Sequence, residues 1–214
     1  MQHLAYIFDF DGTLVDSMPY VAMGVKRFLD NRGVKYPKNI MEIVTPLGYP
    51  ASAAYYNEHF GLSVTGEEYF DEVQNLIFPY YQNEIPLKKG AYEYLKTLKA
   101  RGASLSVLTA SPLRLVKPCF ERLGILDWFD QLWCCDDFGR IKSDPEIYLE
   151  AAKRLSVEPT DIAFFDDSFH SLAAAKKAGL YTVGIYDEVA KAFVNDVKAS
   201  SNVYHENFLS AKDI

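Results

Sequence analysis

The chain has 214 residues, 49% of them apolar and 24% charged, and its 22 basic and 29 acidic side chains give a formal net charge of −7. These fractions are those of an ordinary soluble globular protein, long enough for one large domain or a core with a small insert. The acidic balance argues against a nucleic acid or an anionic membrane as partner, since both reward a basic surface, and no Lys/Arg cluster accompanies the aromatic residues as a single-strand groove requires.

In chain order, a strand is predicted over residues 4–8, an unbroken apolar run that leads into Asp9-Phe10-Asp11-Gly12-Thr13-Leu14-Val15-Asp16. Two carboxylates at i and i+2 leave the same face if strand geometry persists that far. Burying two like charges together is costly unless a metal or a substrate balances them. A plain Asp-Gly turn is the competing reading. Ser17 can then N-cap a helix with Pro19 in its first turn, running to Asp30 before Asn31-Arg32-Gly33 ends it. Helical stretches follow at 40–44, 51–60 and 67–81, punctuated by Pro46, Gly48, Pro50, Gly61 and Gly66, and Pro86 and Gly90 mark a return. Residues 17–85 thus read as an all-helical insert on two linkers, with residues 1–16 and 86–214 forming an α/β core. In the core, strands at 104–108, 131–135, 162–165 and 181–185 alternate with helices at 91–101, 113–123, 145–155 and 171–178. Gly102, Gly124 and Gly179 each sit just past a helix, as C-caps do. Continuous apolar strands in β-α repetition predict a doubly wound parallel sheet covered on both faces.

The three cysteines, Cys119, Cys134 and Cys135, are odd in number and include an adjacent pair, which suits neither a disulfide framework nor a zinc site. Cys134 and Cys135 close an apolar stretch and read as buried strand thiols. The chain enters its first strand without the basic segment and apolar core of a leader, and no apolar run approaches transmembrane length. A reducing cytoplasm is the expected compartment.

Open parallel sheets bind ligands beyond the carboxyl ends of their strands, which makes each strand exit a candidate. The first exit carries Asp9 and Asp11. The second carries Thr109-Ala110-Ser111-Pro112, a hydroxyl and backbone N–H groups opening a helix, suited to an anion or to simple N-capping by Ser111. The third leads to Lys142, just before a helix start, and the fourth ends in Asp166-Asp167-Ser168. Each alone has a bland reading as turn or solvated charge; four exits together do not. Asp9, Asp11, Asp166 and Asp167 offer hard oxygen ligands suited to Mg²⁺. With the metal balancing the carboxylates, one can attack a phosphorus and another can move the proton, while Thr109, the Ala110 N–H and Lys142 hold the phosphoryl group.

These motifs resemble those of the haloacid dehalogenase superfamily, in the phosphatase and β-phosphoglucomutase-like branch, over nearly the whole length. The resemblance implies a Rossmann-like core with a helical cap inserted after the first strand. It implies Asp9 as nucleophile, Asp11 as general acid/base with its main-chain carbonyl on Mg²⁺, Thr109 and Lys142 at the phosphate, and Asp167 as metal ligand beside Asp166. Asp11 is the carboxylate that the family's dehalogenases lack, so it points to phosphoryl transfer. Three positions depart from the pattern. Ser143 replaces the first proline of a K-P-x-P loop, which should loosen it. Ser171 stands in place of a common glycine, next to His170, which reads as an exposed loop histidine. Val21 occupies the place of a histidine that the branch's sugar-phosphate mutases carry.

The expected activity is Mg²⁺-dependent hydrolysis of a small phosphorylated metabolite, of phosphoglycolate or sugar-phosphate type, through an aspartyl phosphate. A β-phosphoglucomutase-like phosphotransferase and a catalytically idle ligand-binding protein are the alternatives. His3, His59 and His205 have no joint metal spacing, and Tyr49, Tyr55 and Tyr56 either pack the cap or line its pocket.

Overall fold

The apolar run after His3 becomes a fully buried strand, β1 (Ala5–Phe8), at the centre of a parallel six-stranded sheet. The computed structural model describes residues 3–211. After β1 come four helices, α1 (Met18–Asp30), α2 (Ile40–Val44), α3 (Gly48–Phe60) and α4 (Gly66–Asn83). The rest of the chain runs α5 (Ala91–Ala100), β2 (Ser104–Thr109), α6 (Leu113–Leu123), β3 (Gln131–Cys134), α7 (Glu146–Leu155), β4 (Ile162–Asp166), α8 (Phe169–Lys177), β5 (Tyr181–Ile185), α9 (Val194–Ser200) and β6 (Val203–His205). The strand order is β3-β2-β1-β4-β5-β6, with Phe8 level with Val107 on one side and Phe165 on the other.

Alternation along β1 divides the core. Tyr6 and Phe8 face the cluster containing Leu95 of α5 and Phe120 of α6, whereas Ala5 and Ile7 face that of Ile147 in α7 and Leu172 in α8. Both faces are covered, which is why the strands read as continuous apolar runs. The structure therefore has the doubly wound Rossmann-like α/β architecture expected.

The four inserted helices close around Phe28, Tyr56 and Tyr69, whose rings meet at 4.8 and 5.1 Å. A capping box between Thr65 and Glu68 starts α4. Gly24 lets α1 and α4 approach so closely that a Cβ there would lie 2.5 Å from Ile77 Cγ2. The two linkers run side by side: Val15 and Leu87 form an antiparallel bridge, with Asp16 N–H donating to Pro86 O at 2.9 Å and Lys88 N–H to Leu14 O at 2.8 Å. The Lys88 ammonium lies 2.5 Å from Asp187, just past β5, and 3.5 Å from Asp16.

Several expectations need correction. The sequence pattern gives no sign of the edge strand β6 or helix α9, and α8 begins at Phe169, two residues before the predicted start, placing His170 inside the helix rather than in a loop. Cys134 and Cys135 are half-buried rather than buried, because the chain leaves the sheet at Cys134 and turns; all three thiols are free. Ser17 precedes α1 but does not cap it, and Pro112, not Ser111, precedes α6. Among the described residues, no helix is long and apolar enough to cross a membrane.

Candidate active site

The central strands β2, β1 and β4 open onto one crevice at their carboxyl ends. Asp9 follows β1 directly, its N–H donating to Phe165 O at 2.9 Å so that it stays in register with β4. Asp166 ends β4 and Asp167 comes next. One oxygen from each of Asp9, Asp166 and Asp167 lies within 4.8 Å of the others. Lys142, from the loop between β3 and α7, sets its ammonium 2.6 Å from Asp9 Oδ1 and 2.6 Å from Asp166 Oδ2. The Tyr148 hydroxyl lies 2.8 Å from the Lys142 carbonyl and 3.1 Å from that of Ser171, so the loop is pinned despite Ser143. Ser168 N–H donates to Asp166 Oδ1 at 2.7 Å.

This packing of charge is costly, and the ionisation equilibria register it. Burial above all, then the charges of Asp166 and Asp11, pushes the Asp9 carboxyl up to about 7 against the opposing pull of Lys142. Asp167 is held well above the usual carboxylate range by burial first and by Asp166 and Asp9 next. Burial works against the Lys142 ammonium, but Asp166 and Asp9 more than offset it and hold its pKa high. Among the described residues Asp167 has no ion-pair partner. An all-oxygen donor set with one carboxylate lacking a cation is a fit for Mg²⁺.

The Asp11 side chain takes no part in that acidic cluster. Ser17 donates to its Oδ1 at 2.6 Å, the Tyr81 hydroxyl donates to the same oxygen, and Ser111 donates to Oδ2 at 2.5 Å. Tyr81 comes from α4 in the insert and stacks on Phe10, ring centroids 5.5 Å apart. Gly12 is required next: its φ is +75°, and a Cβ would lie 2.7 Å from Asp167 Oδ2. Thr13 Oγ1 donates to Asp167 Oδ1 at 3.1 Å. Ser17 and Ser111 are visible in the sequence only as helix-start residues, and Tyr81 and Thr13 carry no local signal of these contacts.

Thr109 is buried, its Oγ1 accepting from Ser111 N–H at 2.9 Å, and with Ala110 it lines the crevice of about 430 Å³ that also holds Asp9, Lys142 and Asp167. His170, exposed and packed on Phe169, lies on its outer wall. Asp11, Thr45, Ala110 and Ser111 also line a second space, of about 200 Å³, that runs up into the insert past Val21, Tyr49 and Gln74. Tyr56, by contrast, is fully buried in the insert's own core, and Tyr55 stacks on His59.

A profile of the family of haloacid dehalogenase-like hydrolases matches residues 4–179. Validoxylamine A 7'-phosphate phosphatase of Streptomyces hygroscopicus subsp. limoneus is 32% identical over 84% of this chain and 84% of its own. Phosphoglycolate phosphatase of Psychrobacter arcticus is 30% identical over 84% of this chain and 81% of its own. In fold, the chain is similar to a haloacid dehalogenase hydrolase of family IA, variant 3, from Entamoeba histolytica, with a TM-score of 0.83 at 23% identity over 98% of this chain and 95% of that one. With this sheet order, the insert after β1 and the profile match along most of its length, the chain belongs to the haloacid dehalogenase-like hydrolases.

Proposed function

We propose that this phosphoric monoester hydrolase is a Mg²⁺-dependent phosphatase of a small phosphorylated metabolite, working in the cytoplasm through an aspartyl phosphate on Asp9. The observation that carries the reading is the division of labour between two carboxylates two residues apart. Asp9 sits in the acidic cluster against Lys142, while Asp11 is turned away and held by three hydroxyls. Two carboxylates in different surroundings can take different roles in one reaction.

In this reading an Asp9 oxygen attacks phosphorus as the bond from phosphorus to the leaving oxygen breaks. Asp11 gives its proton to that oxygen, so the alcohol departs neutral. Asp11 then takes a proton from the water that attacks the aspartyl phosphate, the phosphorus–Asp9 bond breaks, and inorganic phosphate leaves. Ser17, Tyr81 and Ser111 orient Asp11 throughout, since a hydroxyl that donates to the carboxylate can turn to accept from the acid. Lys142 offsets charge on Asp9 and the phosphoryl oxygens, and Thr109 and the Ala110 N–H bind those oxygens. Held by Asp9, the Asp11 main-chain carbonyl and Asp167, with Asp166 beside it, Mg²⁺ supplies the positive charge that lets a phosphate dianion approach four carboxylates.

Residues 17–85 serve in this reading as a cap domain over residues 1–16 and 86–214. The apolar Val21 on the wall that Asp11 shares supports hydrolysis over the mutase alternative, because it offers no base there. Relatives named as a validoxylamine A 7'-phosphate phosphatase and a phosphoglycolate phosphatase support a small phosphorylated metabolite as the substrate. Phosphate release from a panel of phosphorylated metabolites with Mg²⁺ tests the activity. Asp9→Asn should abolish it while leaving the circular dichroism of a folded protein, and ordinary turnover by purified Asp9→Asn would sink the mechanism.

A further inference from the structure

The space of about 200 Å³ between Asp11 and the insert has room for roughly seven waters at liquid density, and so for a leaving group with a comparable number of heavy atoms. Most of its wall is apolar, from Met18, Val21, Val25, Met41 and Val44. Of the polar side chains that interrupt it, two carry an oxygen without a hydrogen-bond partner. Gln74 is 2% exposed, and its amide donates to the Tyr49 hydroxyl at 3.1 Å, leaving Oε1 buried with no partner. Thr45 Oγ1 is likewise buried and unpartnered. Buried polar atoms without partners are rare in folded proteins, and two on the wall of one cavity beside a reacting carboxylate mark it as built for a polar occupant.

The charges decide which occupant. No cationic side chain lines this space among the described residues. In the adjoining crevice the basic side chains are Lys142, already held 2.6 Å from both Asp9 and Asp166, and His170, exposed on the outer wall. Asp11 itself borders the cavity. A carboxylate brought in on a substrate would be desolvated there with no counter-charge, a severe cost. A hydroxyl meets no such barrier, since it can donate to Gln74 Oε1 and either donate to or accept from Thr45.

Resting on the phosphatase reading above, we infer that this cavity selects an uncharged, hydroxyl-bearing leaving group, read by Gln74 and Thr45, and rejects phosphorylated carboxylic acids. The substrate class is therefore the monophosphate of a small polyol, sugar or comparable neutral alcohol rather than a phosphoglycolate-like acid. Gln74 and Thr45 are specificity-determining residues.

Glycerol 3-phosphate and 3-phosphoglycerate provide the direct comparison, because they differ in a CH₂OH against a carboxylate. With Mg²⁺ and the intact protein, kcat/KM should favour glycerol 3-phosphate by at least a hundredfold, and phosphoglycolate should fare as poorly as 3-phosphoglycerate. The ratio of kcat/KM for glycerol 3-phosphate over propyl phosphate, which lacks the hydroxyls, should fall about tenfold in Gln74→Leu and again in Thr45→Val. Each variant checks the other if one fails to fold. Equal or better turnover of either acid overturns the inference, as does an unchanged hydroxyl preference in both folded variants. p-Nitrophenyl phosphate separates the two levels. If it is hydrolysed while the acids win, the phosphatase reading stands and the selectivity falls; if nothing releases phosphate, both fall.

Discussion

Replacing Lys142 by Met keeps much of the side chain's length and removes its charge. In metal-free protein this leaves Asp9 and Asp166, each 2.6 Å from the lost ammonium, buried without a cation. Removing one partner of a buried ion pair costs about 3–5 kcal/mol. For a chain of this size each kcal/mol moves the melting temperature by roughly 2–4 °C, so a fall of about 10 °C is expected at alkaline pH. The loss carries a pH signature. Asp9 in the folded parent is raised to about 7, chiefly by burial, so the fold favours its protonated form. That contribution is complete below the unfolded-chain value of about 4 and drains away as pH rises through the folded value. Lys142 is the main influence holding the folded value down, so without it the folded value rises and the drain extends to higher pH. The gap between parent and Lys142→Met should therefore be small near pH 5, where a proton can stand between the carboxylates, and largest near pH 8.5. Scanning calorimetry in EDTA at the two pH values reads it directly. A deficit of the same size at both would refute the reasoning and assign the cost to packing of the lysine's methylenes.

Tyr81→Phe deletes one of three donors to Asp11; a hydrogen bond to a charged group contributes about 1.5–3 kcal/mol, so kcat should drop roughly ten- to a hundredfold, and a change under threefold would show that Tyr81 does not orient Asp11. Gly12→Ala drives a Cβ into Asp167 and forces an alanine to positive φ, so the apparent Mg²⁺ requirement should rise at least tenfold with about 1–3 kcal/mol lost in stability; an unaltered Mg²⁺ titration would contradict the placement of Asp167 at the metal. Activity should vanish in EDTA and return with Mg²⁺ but poorly with Ca²⁺, whose larger sphere tolerates extra bidentate contacts that would occupy the Asp9 oxygen needed for attack. Full turnover in a metal-free preparation would overturn this.

What the sequence makes legible follows from local physics. β1, β2, β4 and β5 are readable because both faces of the sheet are covered, so most of their residues are apolar. Val203–His205 is not, because its three residues are only half-buried at the edge of the sheet. Asp9, Lys142, Asp166 and Asp167 announce themselves by standing at strand exits, and the same rule applied to β5 finds Asp187, which holds Lys88. The environment of Asp11 is beyond such rules. Ser17 and Ser111 look like helix-start residues, yet spend their hydroxyls on a side chain of another segment. Tyr81 sits where α4 turns an apolar face inward, 70 positions from the carboxylate it meets, and no periodicity encodes that meeting. The unpartnered oxygens of Gln74 and Thr45 likewise exist only once the helices of the insert have closed around them.

The bridge between Val15 and Leu87 also bears on how the chain finds its fold. β1 and β2 are neighbours in the sheet, Ala5 beside Ser104, although the whole insert lies between them in sequence. Bringing together the ends of a flexible loop costs about 0.6 kcal/mol for each doubling of its length. Once the linkers are paired, the roughly 95 residues between β1 and β2 act as a loop of about 25, some two halvings, which removes about 1 kcal/mol of closure entropy from the first strand pairing. An insert that gathers on its own aromatic cluster thus hands the core a chain in which β1 and β2 are close neighbours. The core can then assemble with the contact order, and the speed, of a shorter protein.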